Sequence, residues 1–335
     1  MKIAVLAPVA WRTPPKHYGP WEQMASNLAE GLVSSGFEVT LFATQDSITT
    51  GKLDAVIPQG YEENRELDAK VAECLHISNL MEKASQFDLI HNHFDFLPLT
   101  YSRLIKTPVI TTIHGFSSPK IIPVYKKYNP DSYYVSISNA DRSKELKYLA
   151  TVYNGINVPD FTFNNQPENY LLYFGRIHPD KGTAEAIEIA LKSKRKLIIS
   201  GIIQDAAYFK EKIEPFLNED ILFTGHSGPE KRNDLLGKAS ALLHPVSFNE
   251  PFGLSVAEAM MCGTPVIAFN KGSMPELIRN EETGFLVNSV DEAVDAVKGL
   301  SKIKRENCRN WAVSQFSRDK MVNDYIKCYD QVFNK

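Results

Sequence analysis

The chain has 335 residues, 43% of them hydrophobic, with a formal charge of -3 at pH 7 and a pI near 6.3; at this length two α/β domains are a better expectation than one. The acidic balance gives no bulk electrostatic drive toward nucleic acid. Cys74, Cys262, Cys308 and Cys328 form no Cys-x-x-Cys pair, which argues against a zinc site or a disulfide framework and fits a reducing, cytoplasmic setting, and no apolar run approaches the ~20 residues of a membrane-spanning helix.

The opening apolar run stops at Pro8 with no small-residue cleavage site, so it reads as a buried first strand and not as a leader. Short apolar runs at Lys2–Ala7, Glu38–Phe42, Leu89–His91, Val109–Thr112, Tyr133–Ile137 and Thr151–Tyr153 predict strands of a parallel sheet. Between the first two, Met24, Leu28, Leu32 and Val33 share a helical face over Trp21–Ser35, and Gly36 is placed to end that helix. Residues 158–169, with two prolines and three asparagines, read as a linker.

The pattern then restarts, with strands expected at Tyr170–Gly175, Lys196–Gly201, Ile221–Thr224, Ala241–His244 and Val266–Phe269. Helices are expected at Thr183–Leu191, Asp205–Phe216, Glu230–Ala239, Leu254–Met261, Pro275–Ile278 and Asp291–Leu300. After a break at Ser314 to Ser317, Asp319–Phe333 reads as a closing helix. The fold expected is α/β with two doubly wound, Rossmann-like domains. The first covers 1–160 plus a C-terminal helix at about 317–335, and the second covers 168–312.

Ligands of open parallel sheets bind beyond the carboxyl ends of the strands. The segment Glu250-Pro-Phe252-Gly253-Leu254-Ser-Val-Ala-Glu258 sits at such an end, on a strand-to-helix turn. Gly253 admits close backbone approach and the helix start favours a phosphate, so the two carboxylates suit sugar and ribose hydroxyls instead. The competing reading is a capped amphipathic helix with solvated glutamates. Arg176 and Lys181, in the turn after Tyr170–Gly175, can both reach one anion, although such a pair is often a solvated surface. The turn Lys16 to Glu22 lacks the spacing of a dinucleotide fingerprint or a Walker loop, so no redox cofactor or ATP is indicated. It reads either as amides near an anion or as a plain Pro and Gly helix start. His114 ends a buried strand. His91-Asn92-His93 has no third ligand at a metal-binding spacing and is read as a strand terminus, and there is no Asp-x-Asp triplet, so no metal site is expected.

Together these residues resemble the retaining glycosyltransferases of family 4, which have the GT-B architecture of two Rossmann-like domains facing a central cleft with a C-terminal helix crossing back to the first. The resemblance covers nearly the whole chain and is most specific in the Glu-x7-Glu element, Glu250 to Glu258, with support from Gly175-Arg176, Lys181-Gly182, Tyr153 to Ile156 and Met274 to Ile278. It implies a metal-independent, cofactor-free hexosyl transfer from a UDP-sugar or GDP-sugar to an acceptor hydroxyl. Arg176 and Lys181 would hold the diphosphate, Glu258 the ribose, and Glu250 with the amides after Phe252, at Gly253 and Leu254, the transferred sugar. His114 would lie near the outer sugar hydroxyls and the acceptor, and Gly19 would let the first helix approach the diphosphate. His226 and Ser227 would border the base. Pro20-Trp21 departs from the second glycine and small residue that many relatives carry. A non-catalytic nucleotide-sugar-binding protein, a sugar-nucleotide epimerase and a phosphorylase are the alternatives. Val124 to Tyr128 mixes aromatic and basic residues, which admits a weak peripheral membrane contact beside the plainer reading of a solvated helix.

Overall fold

The computed structural model describes residues 1–116 and 118–334; Ser117 and Lys335, both inside the expected first domain, lie outside these. The first elements in chain order are β1 (Lys2–Leu6), α1 (Pro20–Ser34), β2 (Glu38–Phe42), β3 (Lys52–Asp54), α2 (Ala69–Glu82), β4 (Leu89–Asn92), β5 (Val109–Ile113), α3 (Ile122–Tyr128), β6 (Tyr133–Ser136) and β7 (Ala150–Thr151). There follow β8 (Tyr170–Phe174), α4 (Thr183–Ser193), β9 (Lys196–Ser200), α5 (Ala206–Tyr208), β10 (Ile221–Phe223), α6 (Pro229–Lys238), β11 (Ala241–His244) and α7 (Leu254–Met261). The chain closes with β12 (Val266–Phe269), α8 (Met274–Leu277), β13 (Gly284–Val287), α9 (Val290–Gly299), α10 (Arg305–Phe316) and α11 (Arg318–Phe333).

Two compact units result, one of Met1–Gly155 with the segment from Arg318 onward, the other of Ile156–Ser317. The first holds a parallel sheet in the order β3-β2-β1-β4-β5-β6-β7. All five residues of β5, Val-Ile-Thr-Thr-Ile, are buried, as a strand covered on both faces requires. Helix α1 buries Met24, Ala25, Leu28 and Leu32 and lies close to α11, because a Cβ on Gly31 would stand 2.3 Å from Val322 Cγ2. The second unit holds the order β10-β9-β8-β11-β12-β13, also parallel. Its main core joins Leu171, Ile199, Leu243 and Ile267 of the sheet to Ile187 and Ala190 of α4 and Ala293 of α9.

Several expectations are corrected. Asp205–Phe216 is not one helix: α5 passes into a π-helical stretch, Phe209–Ile213, and a 3-10 turn, Glu214–Phe216. Pro215 lacks the amide that a continuing α-helix needs. Ser314 is no break, since α10 runs on to Phe316 and the chain turns at Ser317. The expected strand Thr151–Tyr153 is the two-residue β7, one step earlier. In α3, Tyr125 and Tyr128 are buried against Leu99, Ile113, Tyr134 and Leu146, so the aromatic half of the supposed membrane-facing patch is core. Among the described residues no helix is long and apolar enough to cross a membrane.

Candidate active site

In each sheet the strand order reverses once, between β1 and β4 in the first unit and between β8 and β11 in the second. Such switch points open a crevice at the carboxyl ends of the strands. In the first unit, α1 starts beside it, with Gly19 as the residue before the helix at φ 152 and Pro20 at its first position. Glu22, in the first turn, is 3% exposed and accepts the Trp11 amide at 3.3 Å. Burial pushes its carboxyl up to about 7, against the pull of the Glu22 and Trp11 amides.

His93 and His114 follow the ends of β4 and β5, whose register pairs Asn92 with Thr111. His114 is 8% exposed; its ring stacks on the Trp21 indole at 5.5 Å and 21°, and its Nε2 lies 2.9 Å from His93 Nδ1. His93 in turn stacks on His91 at 4.5 Å and 17°. His91 is fixed by the Tyr329 hydroxyl at 2.7 Å and Thr112 Oγ1 at 2.8 Å. Burial drives the pKa of His91 and His114 down to about 3 and that of His93 well below its ordinary value, so all three rings are neutral at pH 7. Among the described residues no group of three or more His, Cys, Asp or Glu side chains is arranged to hold a metal ion.

In the second unit the site is built across β8 and β11. After β8, residues 176–182 fold back so that Ser247 N donates to Asp180 O at 2.9 Å. That contact brings Lys181 Nζ to 2.6 Å from Glu250 Oε2, with the ammonium 4.5 Å over the Phe248 ring. The two side chains are only 15% and 14% exposed, and His244 Nε2 stands 3.8 Å from the same carboxylate oxygen. Burial lowers the pKa of His244 to about 4 against the attraction of Glu250, leaving the ring neutral at pH 7.

Gly253, at φ 92, is the residue before helix α7, whose start has no side-chain cap among the described residues; a Cβ there would also meet Met274 Cε at 2.7 Å. Phe252 is buried on Phe316, and its carbonyl accepts the Ser273 hydroxyl at 2.7 Å. This packing aims the start of α7 from Gly253 and Leu254 onward. Glu258, in the second turn of α7, pairs with Arg232 of α6 at 3.2 Å. Burial raises its pKa and Arg232 opposes the rise.

The two glutamates therefore each hold a cation, where charge reasoning from sequence had them facing hydroxyls alone. Arg176 Nη1 donates to Gln204 Oε1, after β9, so Arg176 and Lys181 engage separate partners in this structure. In the loop after β10, Ser227 is buried with its hydroxyl 2.8 Å from Ser200 Oγ, while His226 is exposed. In the second unit Arg232, Gln204 and His244 are partners of the predicted residues that sequence reasoning did not assign, and in the first unit His93 is such a partner of His114. Arg232 lies 26 positions from Glu258, in a helix whose sequence offers no local sign of that partner.

Two parallel, doubly wound units of this topology define the two-domain GT-B class of glycosyltransferases. Residues 157–313 match the family described as glycosyl transferases group 1, and residues 22–158 match the one described as glycosyltransferase family 4. The chain belongs to these group 1, family 4 type glycosyltransferases. It is similar, at 23% identity over 98% of both chains, to an uncharacterized glycosyltransferase of Methanocaldococcus jannaschii. Among solved structures it is similar to a sucrose-phosphate synthase from Thermosynechococcus elongatus, with a TM-score of 0.79 and 18% identity over 100% of this chain and 99% of that one. It is also similar to Anabaena HepE in complex with UDP and glucose, with a TM-score of 0.73 and 18% identity over 99% of this chain and 100% of that one.

Proposed function

We propose that the protein transfers a hexose from a nucleotide-diphosphate sugar to an acceptor hydroxyl with retention of anomeric configuration and without a metal ion. The donor is assigned to the second unit and the acceptor to the first. One observation carries the reading: Lys181 with Glu250 and Arg232 with Glu258 flank the uncapped, glycine-led start of α7 at the switch point of the second sheet. A diphosphate suits the ammonium of Lys181, the guanidinium of Arg176 and the helix start. The sugar and ribose hydroxyls suit Glu250 and Glu258, and His226 and Ser227 border the base.

As the bond to the leaving diphosphate breaks, negative charge grows on its oxygens. Each preorganised donor facing them contributes about 2 to 4 kcal/mol. The acceptor hydroxyl attacks from the face the diphosphate leaves, and a phosphate oxygen takes its proton. Glu250 then positions the sugar and is not the nucleophile, and His114 hydrogen-bonds a sugar or acceptor oxygen.

UDP-glucose is the first candidate donor, supported by the likeness to HepE, and GDP-mannose the second. Thermal unfolding against a panel of UDP- and GDP-sugars tests this, because a bound donor raises the midpoint by mass action. Turnover with the best binder should drop at least 100-fold in Arg176→Ala, and NMR of the product should show the donor's anomeric configuration. Inversion, or wild-type turnover in Arg176→Ala, refutes the scheme.

A further inference from the structure

The contact between His93 Nδ1 and His114 Nε2, at 2.9 Å, needs one proton between two nitrogens. Two arrangements keep both rings neutral. In one, His93 carries its proton on Nδ1 and donates to His114 Nε2. In the other, His114 donates from Nε2 and His93 must carry its own proton on Nε2. That second arrangement strands an N–H, because His93 Nε2 is buried with no hydrogen-bond partner among the described residues on a residue 1% exposed. Orphaned buried N–H groups are the rarest polar defect in native proteins, and an unused ring lone pair is the milder one. An imidazolium would satisfy the contact as well, but three rings packed together away from water oppose a charge there. The orientation of His93 is itself imposed: its ring lies flat on His91, which Thr112 and Tyr329 clamp at both nitrogens.

We infer that His93 is a positioning residue whose Nδ1–H locks His114 as the Nδ1–H tautomer, so that His114 can donate a hydrogen bond to a ligand oxygen but has no lone pair left to act as a base. The identity of that oxygen, on a sugar or an acceptor, rests on the function proposed above; the proton arrangement does not. Trp21, whose indole stacks on the His114 ring, restrains that ring as well. In the reaction, the acceptor's proton must then leave by a route other than His114.

Long-range nitrogen–proton correlation spectra of protein labelled with 15N in histidine report the tautomer of each ring directly. At pH 7 both His93 and His114 should appear protonated at Nδ1. In His93→Leu, His114 should show a mixture of tautomers. In His93→Asn, whose amide nitrogen occupies the place of Nδ1, the Nδ1–H form should return. The kcat/KM for the best nucleotide sugar should fall about tenfold in the leucine variant and recover to within about threefold in the asparagine variant, as one neutral hydrogen bond predicts. Urea midpoints of the variants separate loss of fold from loss of the proton lock. A wild-type His114 protonated at Nε2, or one that stays purely Nδ1–H in His93→Leu, overturns the inference. Absence of turnover with every nucleotide sugar would instead count against the transferase scheme, with the wild-type spectrum still deciding the tautomer.

Discussion

Replacing Lys181 with methionine keeps most of the stem and removes the ammonium that sits 2.6 Å from Glu250. Breaking a fully buried ion pair from one side costs about 3 to 5 kcal/mol, because the remaining charge is left uncompensated. Here the side chains keep 15% and 14% exposure, and water reaching Glu250 reduces the expected loss to about 2 kcal/mol. Adding Glu250→Gln removes the stranded charge, so the double variant should regain most of that stability in urea unfolding without ligand. Binding of UDP should not follow. If the ammonium meets the diphosphate, its loss weakens a charge-assisted contact by about 2 kcal/mol, or about 30-fold in Kd by calorimetry, in the single and the double variant alike. Recovery of UDP affinity together with stability in the double variant would show that Lys181 acts only by holding Glu250, and the diphosphate assignment would fall.

Gly253→Ala places a Cβ at φ 92 and 2.7 Å from Met274 Cε; about 1 to 3 kcal/mol of stability should go, and UDP binding should weaken because the start of α7 shifts, both readable in a ligand-dependent melt. Arg305 is buried, and its guanidinium donates to the carbonyls of Asn164, Ala239 and Gly237 and to Thr264 Oγ1. Arg305→Met should cost upwards of about 3 kcal/mol through four acceptors left unpaired, and an unchanged urea midpoint would contradict that reading. His76 is fully buried, with Nε2 2.9 Å from Ala7 O, and burial lowers its pKa from 6.5 to about 4. A depressed histidine contributes stability that is complete above pH 6.5 and is lost as pH falls through the folded value. The stability of wild type relative to His76→Gln should therefore shrink by about 3 kcal/mol between pH 7 and pH 4; the carboxyls whose pKa burial raises, among them Glu22, Asp95, Asp141 and Glu258, are common to both proteins and cancel. A difference independent of pH would refute the linkage.

The inner strands were legible in the chain because a parallel strand covered on both faces carries a nearly continuous run of apolar and β-branched residues, as in β1, β5, β8 and β11. The turn into α7 was legible for a related reason: proline, glycine and the following apolar run mark a strand end and a helix start within nine residues. The short strands β3 and β13 carry too few buried positions to show a period. Helix α2 hid because Val71 and Leu75 are exposed while Ala72, Ile77 and Leu80 are buried, which blurs the apolar stripe.

Local order thus sets which segments become strand or helix and where the chain's reactive side chains fall on them, since hydrophobic period and turn chemistry act over a few residues. Partnership does not follow from that. Lys181 meets Glu250 across 69 positions and His93 meets His114 across 21, and each meeting depends on which strand lies beside which. Only sheet order and register, settled by packing of the whole unit, bring those ends together and decide the charge and proton arrangement of the site.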